Sequence, residues 1–289
     1  MNDLKKIGVA ALFLLLVLLS ACSTTVTSPL ADIPLSEKPL AGKFVWHDLM
    51  TDDLEAAQAF YGKLFGWTFE ETRHPNGGDY TLIFADRRLV GGMVQLTDPE
   101  RIEYSRWIGY LSVPDVDEAA DLTISAGGTV VAGPLDLPGI GRAAAIQDPQ
   151  GGVAGLLRSK PGDPADSIKP GVGQIVWNEM LAADEKAAAG FYEQISGARA
   201  KVIERRGGEY IMLQSAGRDR AGFMARPADD TDPMWLTYIG VADPAVTAAR
   251  VAGLGGEVLL APSPDVREGT MAVVIDPNGA ILALQKWSQ

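Results

Sequence analysis

The chain repeats itself, and this internal repeat constrains the fold more than any other feature of the sequence. The run FVWHDLM from Phe44 is matched by IVWNEML from Ile175, and a Phe-Tyr pair recurs at the same offset of 131 residues. After a gap the offset becomes 128 and continues through two Asp-Pro-x-Gly turns, which begin at Asp148 and Asp276. Chance does not produce such a register twice, so the sequence predicts two tandem domains of one fold.

Within each copy the pattern is itself double. The pattern of residues 43–50 predicts a strand. A helix follows from Leu54, with Asp52 or Asp53 as its cap. Turn signals of hairpin type then separate three further strands. The second half of the first copy repeats this order, with a strand at Trp107–Val113, a helix over 115–126 and three more strands. Each copy therefore reads βαβββ twice, which predicts an α+β fold.

These patterns divide the chain into five segments. We expect a signal peptide at 1–21, a tether at 22–42, a first domain at 43–160, a linker at 161–172 and a second domain at 173–289. The linker is rich in Pro, Gly and Asp, and the tether has neither a helical nor a strand period. A strand of the tether that pairs onto the folded body is the alternative for that segment.

The amino-terminal region has the order of a cleaved export signal. Two lysines precede an apolar run from Leu12, which closes with Leu-Ser-Ala-Cys at Cys22. The segment resembles a bacterial lipoprotein signal, which implies that Cys22 is the lipidated residue and that Ser23 after it favours the periplasmic face of the outer membrane. An ordinary transmembrane helix over Ile7–Ala21 is the alternative, but that run is short of the roughly 20 residues that a span needs.

Composition limits the classes of partner. The formal net charge is -12, and removal of the signal, with one acidic and two basic residues, makes it one unit more negative. Such a surface repels phosphate backbones, so we expect no nucleic acid partner. Cys22 is the one cysteine in the sequence, so no disulfide forms within the chain and the fold rests on its apolar core.

The repeated motifs resemble the vicinal oxygen chelate superfamily, which includes glyoxalase I, extradiol dioxygenases and bleomycin-resistance proteins. The resemblance is carried by the paired βαβββ modules, the Phe-Tyr pairs, the Gly-Gly after each second helix and the Asp-Pro-x-Gly turns, over nearly all of residues 43–289. It implies cup-shaped mixed sheets with helices outside. Whether the two copies close one joint cup, or form a homodimer with another chain, is left open.

The same resemblance implies where metal ligands would lie in a metal-using member. Six positions are involved, and they hold Trp46, Ile108, Gly155, Trp177, Leu236 and Ala283. None of these side chains binds a divalent ion, so we expect no metal and no other cofactor. The sequence has two histidines, His47 and His74, and neither has a partner at metal spacing. Both are better explained as hydrogen-bonded or solvated residues than as ligands.

Two carboxylates share a strand face with tryptophans. Asp48 and Glu179 each lie two residues after a tryptophan, on the face that the resemblance places inside the cup. A buried acid beside an indole has a raised pKa, and it can move a proton or hold a cation. The alternative is that each acid only accepts hydrogen bonds from backbone or tyrosine groups.

Aromatic residues at equivalent positions of the two copies suggest the walls of a pocket. The repeated set is Trp46, Trp107 and Tyr110 in the first copy and Trp177, Trp235 and Tyr238 in the second. We take Trp46, Tyr110, Trp177 and Tyr238 as the candidate ligand contacts.

Three hypotheses for function follow. The first is an exported, lipid-anchored binding protein that holds a small aromatic or cationic ligand without metal. The second is an enzyme, either a glyoxalase or dioxygenase relative with a rearranged site or a metal-free isomerase with Asp48 or Glu179 as general base. The third is a structural envelope protein. Gly139-Ile140-Gly141 lacks the third glycine of a dinucleotide loop and predicts only a hairpin turn.

Overall fold

The computed structural model describes residues 33–73, 78–97, 105–205 and 208–288. The chain up to residue 164 contains the first copy of the repeat and two short strands, one on either side of it. These elements are β1 (Leu35–Ser36), β2 (Phe44–Thr51), α1 (Leu54–Phe65), β3 (Thr68–Arg73), β4 (Asp79–Ala85), β5 (Arg88–Gln95), β6 (Arg106–Ser112), α2 (Val116–Ser125), β7 (Thr129–Leu137), β8 (Gly141–Gln147), β9 (Val153–Ser159) and β10 (Asp163–Pro164).

The second copy follows the same order of elements. They are β11 (Ile175–Ala182), α3 (Glu185–Ser196), β12 (Arg199–Arg205), β13 (Gly208–Ser215), β14 (Arg218–Ala225), β15 (Met234–Val241), α4 (Pro244–Val251), β16 (Glu257–Leu260), β17 (Met271–Ile275) and β18 (Ile281–Lys286). Single 3₁₀ turns lie at Ala252–Leu254 and Arg267–Gly269. The predicted βαβββ order is confirmed in both halves of both copies.

Each copy closes its own eight-stranded mixed sheet. The strand orders are β3-β4-β5-β2-β6-β9-β8-β7 and β12-β13-β14-β11-β15-β18-β17-β16. The first strands of the two modules, β2 and β6, pair antiparallel at the centre, while β2 is parallel to β5 and β6 is parallel to β9. The two modules of one copy therefore form one cup, and the two copies do not share a joint cup.

The helices begin and end where the sequence chemistry places them. The Asp53 side chain accepts a hydrogen bond from the Ala56 backbone N–H at 2.9 Å, so Asp53 rather than Asp52 caps α1. Gly66 ends the same helix in the left-handed region at φ 73°, a conformation that glycine adopts without a Cβ penalty. Asp184 and Gly197 cap α3 in the same way.

The convex faces of the sheets and the helices form the main core. Helix α1 contacts α4 and helix α2 contacts α3, so each helix of one copy packs against a helix of the other. Two apolar clusters cross the boundary between the copies, and each includes fully buried aromatic side chains such as Phe60 and Phe223. Burial of each such side chain stabilises the fold by about 1.5–3 kcal/mol, so the two copies are held together by a shared core.

The motifs that define the repeat link one copy to the other. The Tyr61 hydroxyl on α1 donates to Asp276 Oδ2 at 3.0 Å, and the Tyr192 hydroxyl on α3 donates to Asp148 Oδ2 at 3.1 Å. Each Phe-Tyr pair therefore anchors the Asp-Pro-x-Gly turn of the opposite copy. Burial raises the pKa of both aspartates, while hydrogen bonds from the turn's backbone and the tyrosine lower it.

The predicted tether and linker do more than connect domains, and this corrects the prediction for their described parts. Strand β1, within the predicted tether, pairs antiparallel with β10, within the predicted linker. The Asp163 side chain of β10 is fully buried and accepts from the Leu40 backbone N–H at 2.6 Å and from the Ser112 hydroxyl at 2.5 Å. Leu35–Ser36 therefore forms a pairing strand, as in the alternative for the tether, but its partner is the predicted linker and not a strand of either domain.

The predicted signal peptide and Cys22 lie outside the described residues. Among the residues that the structure does describe, no helix has the length and apolar character needed to cross a bilayer.

Candidate functional site

The concave face of the first sheet carries an acid at its centre. Asp48 lies in the middle of β2, and strand alternation places Trp46 on the same side. Strand β6 lies next to β2, where Trp46 is opposite Tyr110. The central pairing of β2 and β6 therefore brings together three of the residues that the sequence marked as candidates.

Asp48 is surrounded by hydrogen-bond donors. The Tyr80 hydroxyl on β4 donates to Asp48 Oδ1 at 2.5 Å, and Trp46 Nε1 donates to the same oxygen at 2.9 Å. Tyr110 also hydrogen-bonds to this carboxyl. Only 2% of Asp48 is exposed, and burial raises its pKa to about 6 against the opposing effect of the three donors. Both predicted features of this acid, a raised pKa and tyrosine partners, are thus present together.

Two glycines make room for the tyrosines. A Cβ at Gly92 on β5 would lie 1.4 Å from the Tyr80 hydroxyl, and a Cβ at Gly155 on β9 would lie 2.2 Å from the Tyr110 ring. Any larger residue at either position would push a tyrosine away from Asp48. The glycines therefore belong to the site because they allow the tyrosines to reach Asp48.

The space above Asp48 is a cavity of 640 Å³. Its floor includes Trp46, Asp48 and Tyr110, and its walls are apolar residues of β7 to β9 and the β7–β8 turn, namely Leu137, Ile140, Ala143 and Leu157. Its remaining side is covered by the paired β1 and β10 region, through Ile33, Leu35, Pro164 and Ile168. We call this paired region the roof, residues 33–36 and 161–169. The roof converts an open cup into a covered pocket.

The second sheet carries the same constellation around Glu179 on β11. The Tyr238 hydroxyl donates to Glu179 Oε2 at 2.5 Å, and the Tyr210 hydroxyl donates to Oε1. Trp177 Nε1 donates to the Tyr210 hydroxyl at 3.3 Å. A Cβ at Gly222 would lie 1.7 Å from that hydroxyl, as at the equivalent glycine of the first copy. Trp177 and Tyr238 therefore take the places of Trp46 and Tyr110.

The second cup differs because it holds a cation of its own. Nη2 of Arg267 donates to both carboxylate oxygens of Glu179 at 2.7 Å, and its guanidinium lies 5.3 Å from the centre of the Tyr238 ring. Arg267 has φ 47°, a left-handed backbone conformation that is costly for a residue with a Cβ. The charge of Glu179 is thus paired within the protein, whereas that of Asp48 is not paired by any cation among the groups acting on it in the described chain.

Several of these residues were missed by sequence reasoning. Tyr80 and Tyr210 recur at an offset of 130, as do Gly92 and Gly222, so the repeat itself carried a usable signal. Arg267 had a different signal: at the offset of 128 it stands where the first copy has Gly139. A charged residue in place of a turn glycine marks a position where the copies have diverged.

Trp107 and Trp235 do not line the cups, and their assignment as pocket walls was wrong. In β6, Trp107 is opposite Leu49, on the convex face, and its Nε1 donates to the Tyr61 hydroxyl at 3.0 Å. Trp235 is packed among the convex-face residues Phe223 and Tyr192. Trp107 and Tyr110 are three residues apart, so alternation places them on opposite faces.

His47 lies at the boundary between the copies. Its Nε2 is 2.9 Å from Oδ1 of Asn178, the equivalent residue of the second copy. Burial lowers the pKa of His47 to about 4, so the imidazole is uncharged at neutral pH and donates to the amide oxygen. The prediction of a hydrogen-bonded histidine rather than a metal ligand fits this position, while His74 lies outside the described residues.

Comparison with known proteins gives the family. Residues 43–83 match the bleomycin resistance protein-like N-terminal family. The protein named "Putative glyoxylase CFP32" of Mycobacterium tuberculosis is 32% identical over 245 residues, which cover 83% of this chain and 93% of that protein. The anthracycline biosynthesis protein DauV of Streptomyces sp. strain C5 is 30% identical over 254 residues, which cover 83% and 91%. The chain belongs to the vicinal oxygen chelate superfamily.

Solved structures of the superfamily share the fold at low identity. The Mn(II)-bound glyoxalase of Novosphingobium aromaticivorans matches with a TM-score of 0.54 at 16% identity, over 86% of this chain and 83% of that one. The 2,2',3-trihydroxybiphenyl 1,2-dioxygenase of Sphingomonas wittichii RW1 matches with a TM-score of 0.55 at 15% identity, over 86% and 91%. These matches support the tandem-cup architecture.

The residues at the superfamily's ligand positions do not fit a divalent metal. In the first cup these positions hold an indole, an alkyl chain and a hydrogen atom, at Trp46, Ile108 and Gly155. A carboxylate side chain at Gly155 would collide with the Tyr110 ring. In the described part of the chain, no three His, Cys, Asp or Glu side chains are grouped as a metal site would require. The Asp48 cluster occupies the centre of the first cup instead.

Proposed function

We propose that this protein binds a small organic molecule in its first cup, without the metal that some members of the superfamily use, while anchored to the cell envelope by a lipid. The observation that carries the proposal is the covered apolar cavity with a single buried carboxyl group, Asp48, at its floor.

The cavity has the size and chemistry of a ligand site. A volume of 640 Å³ falls within the roughly 300–1,000 Å³ of small-molecule pockets. Its lining is mostly aliphatic and aromatic, with the carboxyl group of Asp48 at the floor and exposed cationic residues at the rim. Small-molecule sites commonly combine apolar walls with a few polar groups that orient the ligand. Relatives named for a glyoxylase and for anthracycline biosynthesis support a role with a small molecule.

The binding proposal is tested with a form of the protein that starts at Ser23. A panel of small neutral, cationic and anionic aromatic compounds is screened by ligand-observed NMR. The variant Ala143→Phe fills the cavity from its wall, and Ile124→Phe, on the exposed face of α2, is the matched control. We expect compounds that bind to the parent and to Ile124→Phe but not to Ala143→Phe.

Binding that is unchanged by Ala143→Phe would place the ligand elsewhere and overturn the proposal. The proposal would also be overturned if no compound of the panel bound. Since a large side chain in a packed wall can disturb folding, Leu157→Gln is a second, smaller change in the same cavity, and circular dichroism of each variant checks the fold.

A second candidate function is acid–base catalysis without metal, with Asp48 as the general base. The observation that favours it is the pKa of about 6, because a base is most effective when its pKa is near the working pH. Glu179 is less suited to this role than the sequence suggested, because Arg267 already binds both of its oxygens. Turnover of a bound compound that is lost in Asp48→Asn, with binding retained, would support catalysis.

The lipid anchor is a separate part of the proposal and rests on the sequence alone. Cys22 is the residue that would carry the acyl chains, and two lipid signals hold a protein on a membrane more firmly than one. Metabolic labelling with an alkyne fatty acid tests it: we expect label in the full chain and none in Cys22→Ser. Equal labelling of both would overturn this part and leave the cavity proposal untouched.

A further inference from the structure

We infer that the first cup binds small molecules with a planar cationic head of the guanidinium or amidinium type, in the place that Arg267 occupies in the second cup. This inference rests on the proposed function and specifies the ligand. The observation that carries it is that the protein has two equivalent sites and that a cation of the protein itself occupies one of them.

The two sites have equivalent residues, and they differ in one donor: Trp46 Nε1 donates to the acid itself, whereas Trp177 Nε1 donates to the Tyr210 hydroxyl. Each has an acid on the central strand, an indole two residues before it, and two tyrosine hydroxyls that donate to the acid. Each also has a glycine that makes room for one tyrosine. A group that fits one constellation is therefore a model for what fits the other.

Arg267 shows how a cation is held in this constellation. One nitrogen donates to both carboxylate oxygens of Glu179 at 2.7 Å, and the guanidinium plane adjoins the Tyr238 ring at 5.3 Å. Charge-assisted hydrogen bonds and cation–π contact are both strengthened when water is excluded. The backbone of Arg267 accepts an unfavourable φ of 47° to place the side chain there, which indicates that the interaction outweighs that cost.

The first cup has the same constellation with the cation removed. Gly139 stands at the position equivalent to Arg267, so the β7–β8 turn brings an apolar side chain, Ile140, to the cavity and no cationic one. Asp48 is acted on by burial and by three hydrogen-bond donors, none of them a cation of the described chain. A buried carboxylate is expensive without an opposite charge, so a cationic ligand would relieve it.

The rest of the cavity specifies the body of the ligand. The walls around Asp48 are apolar, through Leu137, Ile140 and Leu157. The cationic residues that also line the cavity, Arg87, Arg88 and Lys169, are exposed and therefore lie at its rim. A ligand with its charge at one end and an uncharged or anionic remainder satisfies both regions, because a second positive charge would meet the rim.

Benzamidine and benzamide form a matched pair of probes. They share a phenyl ring and a planar head, but only benzamidine is a cation. Isothermal titration at pH 8, with the chain that starts at Ser23, is expected to show at least tenfold tighter binding of benzamidine. In Asp48→Asn the two probes should bind equally, while Asp121→Asn, which removes the same charge from the exposed face of α2, should keep the preference.

A second variant tests the site by the reverse route. Gly139→Arg supplies the first cup with the residue that the second cup has, and the equivalent position already accepts arginine at positive φ. Its own guanidinium should occupy Asp48 and abolish benzamidine binding. Tight benzamidine binding that persists in Gly139→Arg or keeps its preference in Asp48→Asn would overturn the inference, since attraction to the acidic surface would then explain it.

The failure of this inference is distinguishable from the failure of the proposed function. If benzamide binds as tightly as benzamidine, and both are lost in Ala143→Phe, the cation inference is wrong while the cavity still binds small molecules. If neither probe binds but another panel compound does so in an Ala143-dependent way, the cation inference is again wrong and the proposed function stands. If no compound binds, both fail.

Discussion

The two cups of this protein differ by what fills them, although they share a scaffold and a polar cluster. The first is a covered cavity of 640 Å³ above Asp48, and the second holds Arg267 against Glu179. One source of the difference is a single position, since Gly139 in the first copy is equivalent to Arg267 in the second. A duplicated domain can therefore keep its fold while one copy closes its site with an internal cation and the other leaves it open.

The walls of the two cups have diverged as well. Ala143 pairs with Leu157 across β8 and β9 in the first copy, and the equivalent pair in the second copy is Met271 and Gln285. Leu137 and Ile140 are likewise replaced by charged residues at the equivalent positions. The first cup is therefore suited to an apolar body, while the second has polar or charged side chains at three of these four wall positions.

The largest expected effect comes from removing the internal cation. Arg267→Met keeps the length of the stem but leaves Glu179 buried without its partner. Breaking a buried ion pair costs about 3–5 kcal/mol, and because the Arg267 side chain is 30% exposed we expect the lower end, about 3 kcal/mol. Chemical denaturation at pH 8 measures it.

The control for this prediction is an exposed ion pair of the same copy. Arg199 and Glu193 are 3.5 Å apart with Arg199 largely exposed, so Arg199→Met should cost well under about 1 kcal/mol. If both variants lose the same small amount of stability, the second cup is not closed by a strong internal pair.

The next effect on stability is expected in the first cup, where removal of the acid's charge should stabilise the protein. Burial raises the pKa of Asp48 from 3.8 to about 6, so the folded protein binds a proton more tightly than the unfolded chain does. Stability from this group is full below about pH 4, falls as the pH rises toward 6 and is lost above it. Asp48→Asn removes this penalty and should stabilise the protein at pH 8 by up to about 3 kcal/mol, with no difference near pH 4.

Glu179→Gln is the matched change in the second cup, and we expect it to destabilise the protein because it leaves Arg267 without a counter-charge. Denaturation of the two variants side by side at pH 8 gives the comparison. Equal signs for Asp48→Asn and Glu179→Gln would show that the two acids are in equivalent environments after all.

A smaller effect concerns the pH dependence of ligand binding. If an amidinium must meet an ionised Asp48, the affinity for benzamidine should be constant above about pH 6 and fall about tenfold for each pH unit below it. Titrations between pH 5 and 8 measure this, with benzamide as the probe whose affinity should not change. An affinity for benzamidine that is flat across this range would mean that Asp48 does not contact the charged head.

The sequence predicted the parts of the site that follow from strand alternation and from the repeat. Trp46 and Asp48 share a face because they are two residues apart, and the offset of 131 placed Trp177 and Glu179 beside each other in the same way. Where alternation was not applied strictly, the prediction was wrong: Trp107 lies on the opposite face from Tyr110 because they are three residues apart.

The remaining parts depend on contacts that local sequence does not encode. Arg267 meets Glu179 across 88 residues of chain, from a turn in an unusual backbone conformation. The roof consists of segments without any secondary-structure period, which pair as β1 and β10. Asp163 also fixes the roof to the rest of the protein through its buried contacts with Leu40 and Ser112. Secondary-structure propensity predicts such segments only as connectors, because tertiary burial sets their structure.

The smallest predicted effect concerns the wall of the first cup. Leu157→Gln gives the first cup the residue that the second has at the equivalent position, without adding a charge or filling the cavity. Partial loss of one apolar contact is worth about 1 kcal/mol, so the affinity for benzamidine should fall roughly fivefold while its preference over benzamide stays the same. Titration of both probes separates the two quantities. A loss of the preference itself would mean that the wall, and not Asp48, selects the cationic head.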